Sequence, residues 1–111
     1  MKEIKAYIHR SRIADVISAL KESASWSAPE SGEHNLTAYM VKGSLIPFDE
    51  GERRYSVDLG DEVIDEYKLE LHCADSQVEE LVKIIVASAR TGQANSGWVY
   101  ILDIVSAVPV S

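Results

Sequence analysis

Histidine, cysteine and carboxylate side chains are the groups in this chain that could bind a metal or move protons, and their spacing limits what they can do. His9, His34 and His72 fall on separate elements with no His-x-His or His-x₃-His pair, so they read as ordinary histidines, not as a metal site. Cys73 is the one cysteine, which excludes an internal disulfide and a cysteine-based zinc site. At the end of a strand it reads as buried and inert, since a reactive thiol needs a cationic neighbour. Carboxylates gather in one stretch: Asp49, Glu50, Glu52, Asp58, Asp61, Glu62, Asp65 and Glu66. Against Arg53 and Arg54 they supply six of the seven net negative charges of the chain. Three readings stay open for that stretch: an arm docking a basic partner, a cation-binding segment, or a solvated acidic loop. The docking reading rests on Asp49, Glu50, Glu52, Arg53, Arg54 and Tyr55. No nucleophile triad, G-x-x-x-x-G-K-[ST] or G-x-G-x-x-G motif is present. Paired acids occur only where catalytic geometry is hard to hold, so the chain reads as non-enzymatic.

The elements that must position these groups belong to a chain of 111 residues, the length of one domain over 1–111. With 46% apolar and 26% charged residues it has the composition of a folded protein. Its acidity argues against nucleic acid and anionic lipid as partners, both of which select clustered Lys and Arg. The opening MKEIKAYIHR lacks the apolar core of a signal peptide, and no run is long enough to span a bilayer. A cytoplasmic location with no membrane insertion is expected.

Periodicity orders the elements. Ile4, Ala6 and Ile8 alternate with Lys5, Tyr7 and His9, the pattern of a strand with one buried face. From Ser11, a candidate cap, Ile13, Val16, Ile17 and Leu20 form a helical stripe. SASWSAPESGEHN reads as a loop, with Trp26 pinning it to the surface. LTAYMVKG is a second strand ended by Gly43. Residues 44–64 are expected to be an extended, mobile excursion with a strand-like piece near 54–59. YKLELHC alternates again. Ser76 and Glu79 have capping-box spacing ahead of a stripe of Val78, Leu81, Val82 and Ile85, and Gly92 is the expected stop. The β-branched and aromatic run WVYILDIVSAV is the last strand. The fold class is therefore α+β: a ferredoxin-like βαββαβ plait, a four-stranded antiparallel sheet with two helices on one face. Its other face would carry Lys5, Tyr7, Tyr39, Val41, Trp98 and Tyr100, which points to burial against a partner.

Three stretches together resemble the PII signal-transduction family, the nitrogen regulatory proteins. MKEIKAYIHRSRIADVISAL resembles the family's opening strand and helix. LTAYMVKG resembles its second strand, whose Val-Lys-Gly leads into a long T-loop, here about 44–64. ARTGQANSGWVYILDIVSAV resembles the B-loop segment through Thr91, Gly92, Gly97, Tyr100 and Asp103. The resemblance implies a homotrimer with ligand clefts between subunits, where B-loop and T-loop base together hold ATP or ADP. Carried over by position, Thr37 would contact adenine, Gly43 would sit at the T-loop base, and Ala94, Asn95, Ser96 and Gly97 would offer backbone N–H groups to phosphates.

The chain also departs from that pattern. Trp98 stands where the family has a Lys, Ile46 and Pro47 where it has Arg and Gln, and Glu66 where it has another Lys. The two C-terminal arginines of the family fall at Pro109 and Ser111. The resemblance therefore implies a divergent PII-like member: an adenine nucleotide stays open as ligand, ATP with 2-oxoglutarate does not fit, and the cofactor is unassigned. Trp98 reads either as a platform for a flat ligand or as packing that closes the cleft. The function implied is regulatory, with a small ligand sensed in the cleft and a partner, a membrane transporter or a regulated enzyme, controlled through the T-loop. The alternative is a trimeric CutA-like protein that binds cations or confers metal tolerance.

Overall fold

The computed structural model describes residues 1–27 and 34–111. Of the loop expected over 23–35, residues 28–33 lie outside the described residues, and Ala24–Ser27 is a short helix rather than loop.

The chain runs β1 (Lys2–His9), α1 (Ile13–Lys21), α2 (Ala24–Ser27), β2 (Thr37–Gly43), β3 (Arg54–Ser56), β4 (Asp61–Cys73), α3 (Val78–Ser88) and β5 (Trp98–Asp103). The main sheet has the order β2-β4-β1-β5, all antiparallel, and β3 pairs only with the start of β4. Setting β3 aside, this is the expected ferredoxin-like plait. The alternation in β1 puts Ile4, Ala6 and Ile8 on the helix side, where they meet Val16 and Leu20 of α1 and Leu81 and Ile85 of α3. All seven are essentially inaccessible to solvent. Each fully buried aliphatic side chain contributes roughly 1.5–3 kcal/mol, which makes this layer the main source of stability.

Several local expectations are corrected. Ser11 does not cap α1: its N–H and hydroxyl both engage the His9 ring, at 3.1 and 2.8 Å, and Arg12 takes the cap position without a side-chain bond. The Ser76–Glu79 box does not form. A 3-10 turn at Asp75–Gln77 leads into α3, and buried Gln77 accepts from the Ala74 N–H and donates to the Ser25 carbonyl. A buried amide with two backbone partners outcompetes an exposed serine, because its lost solvation is replaced on both ends. Glu79 pairs instead with Lys83 one turn on. The helix ends at Ser88, before Gly92, whose positive φ of 91° turns the following loop. The last strand stops at Asp103, and 104–111 lies outside the sheet.

The largest difference concerns 44–64. Residues 61–64 belong to β4, with Ile64 opposite Gly43 and Val63 opposite Arg54. The remaining arm, 44–60, is folded back onto the body rather than extended. Leu45, Val63 and Ile64 are buried, and a 3-10 turn at Glu50–Glu52 is capped by Asp49. Alternation is weak there because this segment packs through turns and single anchors, not through one continuous face.

The sheet face away from the helices is open. Lys68 lies over the rings of Tyr7 and Tyr39, at 5.9 and 5.4 Å from their centroids, and Tyr7 meets Tyr100 edge-on at 6.0 Å. The outer strand β5 leaves Trp98, on the open face, and Ile101, on the other, each 51% exposed at the sheet edge.

Candidate functional site

The loop between α3 and β5 surrounds a cavity of about 340 Å³, lined by Ile85, Ala89 and Arg90 of the helix end, by residues 91–97, and by Trp98. Local chemistry fixes the loop. Thr91 donates its hydroxyl to Ser96 Oγ at 2.7 Å, closing the loop over residues 91–96. Asn95 takes a left-handed φ of 57°, a conformation its short amide side chain tolerates. Gly97 approaches β1 so closely that a Cβ there would stand 2.9 Å from the Tyr7 carbonyl oxygen, so any other residue would push the loop off the sheet.

Ala94, Asn95, Ser96, Gly97 and Trp98 are thus brought to one cavity. Residues 94–95 form a hydrogen-bonded turn, and among the described residues no side chain accepts from the N–H groups of 94–97. Backbone N–H groups around such a turn can form a concavity suited to anions. Arg90, which the sequence reading did not single out, lines the same cavity and supplies a cation there. Its position directly before Thr91-Gly92 was the available signal. Thr37 and Gly43 do not join this group within one chain. Thr37 pairs with Glu70 near the far end of β2, and Gly43 lines a separate, open-face cavity.

Trp98 stands between the two cavities and lines both. The open-face cavity also takes Tyr7, Tyr100 and Glu66 into its lining. Glu66 is 2% exposed and accepts from the Leu45 N–H at 3.2 Å. Burial raises its carboxyl above the ordinary range, opposed only in part by that hydrogen bond and by the nearby His9. Gly43 makes the room: a Cβ at that position would collide with the Glu66 carboxylate.

The acidic arm is partly spent on internal contacts. His9, on β1, is 3% exposed and lies 2.7 Å from Glu52 Oε2 through Nε2. The Ser11 N–H donates to His9 Nδ1, so that nitrogen holds a lone pair and the ring donates from Nε2 to the carboxylate. Glu52 Oε1 accepts from the N–H groups of Phe48 and Asp49, and Phe48 stacks edge-on against His9 at 5.0 Å. Burial works to raise the Glu52 carboxyl, but the bonds from His9 and the two backbone amides together hold it below the ordinary carboxylate range. Arg54 pairs with Asp65, and Glu50 with Arg53 at 3.5 Å. Tyr55 is 64% exposed, in the middle of β3 opposite Glu62, one rung back from the turn at 57–60 of the β3–β4 hairpin. Of the six arm residues singled out from sequence, Glu52 is therefore turned inward, while Tyr55 faces solvent.

The remaining candidates are structural in their surroundings. His34 accepts the His72 N–H through its carbonyl, bonds the His72 carbonyl through Nδ1, and stacks on Trp26 at 4.3 Å. Burial pushes the Cys73 thiol up, away from reactivity. Among the described residues, no three His, Cys, Asp or Glu side chains gather as metal ligands, and no helix is long and apolar enough to cross a membrane.

No family model matches the chain. Curated relatives do. It is 27% identical over 104 residues to the nitrogen regulatory protein P-II of Porphyra purpurea, covering 94% of this chain and 86% of that protein. The nitrogen regulatory protein P-II of Pyropia yezoensis gives the same identity over the same span. The nitrogen regulatory protein P-II 1 of Methanothermobacter thermautotrophicus is 26% identical over 110 residues, 99% of this chain and 89% of its own length.

Proposed function

We propose that this chain, a divergent PII-like protein, is a regulatory protein without catalytic activity that binds a small anionic ligand at the 91–98 loop and controls a partner protein through the arm at 44–60. The names of its relatives support the regulatory role. The observation that carries the ligand reading is the cavity where Arg90, Trp98 and the backbone of the 94–97 turn meet. Those groups suit a phosphate beside a flat ring: amides and guanidinium take the charge, and the indole takes the ring face.

In this reading three copies pack through the open sheet face and the β5 margin. Thr37 and Gly43 of one subunit then complete the cleft at the loop of the next. Ligand binding shifts the arm between its docked form, held by His9 and Glu52, and a released form that meets the target, a transporter or a regulated enzyme. That is a switch between two arrangements of one segment.

Charge decides which nucleotide fits. Trp98, Ile46, Pro47 and Glu66 leave the cleft with few cations besides Arg90. Each missing charge-assisted contact is worth roughly 1.5–3 kcal/mol, so a triphosphate loses orders of magnitude in affinity. Calorimetric titration with AMP, ADP and ATP, each with and without 2-oxoglutarate, tests this. AMP or ADP should bind more tightly than ATP, with no effect of 2-oxoglutarate. Low-micromolar ATP binding strengthened by 2-oxoglutarate would sink the reading. Arg90→Ala should abolish whichever nucleotide binding is found.

A further inference from the structure

A smaller cavity, of about 150 Å³, opens where the arm meets the end of β1, lined by Arg10, Gly51, Glu52, Arg54 and Asp65. None of these residues lines the 91–98 loop cavity or the open-face cavity. Two arginines and two acids make the charge of the lining sum to zero. The four differ in how far they are already engaged. Both Glu52 oxygens are occupied: Oε2 meets His9, and Oε1 accepts from the Phe48 and Asp49 N–H groups. Arg54 reaches Asp65 Oδ1, while Oδ2 meets no donor among the described residues. Arg10 is unengaged: among the described residues, no hydrogen bond or ion pair takes up its side chain.

The unused capacity therefore has both signs. A guanidinium presents its N–H donors in a planar fork that matches a carboxylate. The second oxygen of Asp65 asks for a charged N–H donor. A simple anion at this cavity would meet Arg10 but also face Asp65 and Glu52, and a simple cation would meet the reverse. A ligand that carries both signs and no net charge satisfies the two open groups and leaves no surplus in a neutral lining. The volume admits only a few heavy atoms, well below drug-sized pockets, so the two charges must sit close together.

We infer that this cavity binds a small zwitterionic α-amino acid, with Arg10 as the partner of its carboxylate and Asp65 as the acceptor from its ammonium. Arg10 directly follows β1, whereas Gly51, Glu52 and Arg54 belong to the arm. An occupant therefore ties the arm to the sheet beside the His9–Glu52 contact. This goes beyond the regulatory reading above and needs neither a nucleotide nor a target protein.

The test is an NMR titration of the full chain, isotopically labelled, with L-alanine as probe. Propionate and ethylamine, each carrying one of its two charges, are the controls at matched ionic strength. Saturable shifts are expected with alanine at the Arg10 and Arg54 Nε–H groups and the Gly51 amide, and binding of either control should be at least severalfold weaker. Under saturating alanine, amide exchange at Gly51 should slow severalfold. Arg10→Gln, at a side chain that holds nothing in the unliganded chain, should weaken alanine about tenfold or more. Asp65→Asn should remove the preference for alanine over propionate; if that variant does not fold, Arg10→Gln decides the matter. The inference is overturned if alanine gives no saturable shifts, if either control binds as tightly, if Gly51 exchange is unchanged, or if Arg10→Gln binds alanine as the unmodified chain does.

Discussion

His9 and Glu52 lie 43 positions apart in sequence and 2.7 Å apart in space, and their contact is what holds the acidic arm against the sheet. One end of the bond sits on the central strand β1, the other on the 3-10 turn of the arm. Because Glu52 also accepts from the Phe48 and Asp49 amides, the same carboxylate shapes the turn and docks it.

Removing either partner should free that turn. His9→Ala or Glu52→Gln should cost about 1.5–3 kcal/mol of stability, the worth of a hydrogen bond to a charged group. The more specific outcome is local: amide exchange at Phe48, Asp49 and Gly51 should accelerate, while 78–88 stays protected. Unchanged exchange in the arm would mean that Leu45 and the β3–β4 pairing hold it without the pair.

Glu52 and Glu66 respond to pH with opposite sign. Glu52 has its carboxyl lowered in the fold, so its stabilisation is complete above about pH 4.5 and is lost as pH falls through its folded value. Glu66 has its carboxyl raised, so its ionisation opposes folding once pH exceeds that same unfolded value. Denaturant melts at about pH 7 and about pH 4 should therefore show Glu66→Gln more stable than the unmodified chain at the higher pH, with the gap closing at the lower. Glu52→Gln should be less stable at the higher pH and converge likewise.

Gly97→Ala tests the close approach of the 91–98 loop to β1. With only 2.9 Å between a new Cβ and the Tyr7 carbonyl oxygen, the loop must move outward. Nucleotide affinity should fall about tenfold or more, with a loss of roughly 1–3 kcal/mol in stability from overpacking. Full affinity in this variant would separate ligand binding from the loop's seat on the sheet.

The edge strand β5 tests the proposed assembly. Light scattering should report three times the 12.3 kDa chain mass. Ile101→Asp, at a half-exposed position, should leave the monomer folded and shift the mass downward. A monomer at micromolar concentration in the unmodified chain would refute the trimer.

The plait was legible in the sequence because its strands and helices each bury one face, and a period of two or 3.6 survives in the residue types. Ile4, Ala6 and Ile8, or Val16 and Leu20, could be assigned to the core from spacing alone. The open-face set from Lys5 to Tyr100 followed from the same alternation. The arm was not legible for the opposite reason. Its order depends on His9 meeting Glu52 and on Leu45 meeting Glu66, contacts between distant residues that leave no local pattern. Charges in 61–66 hid the start of β4, since Glu66 is buried as a carboxylate where the pattern reads a solvent-facing acid. Arg90 escaped notice because a lone arginine at a helix end usually serves the helix.

β4 is a single strand of 13 residues that serves two pairings at once. Its first residues pair with β3, and its remainder runs between β2 and β1 through the middle of the main sheet. At about 3.3 Å per residue it is some 43 Å long, nearly the 45 Å of the longest axis of the molecule. The hairpin at its outer end thus shares one unbroken backbone with the middle of the sheet, so a shift of that hairpin would be felt first at the rungs facing Tyr7 and His9.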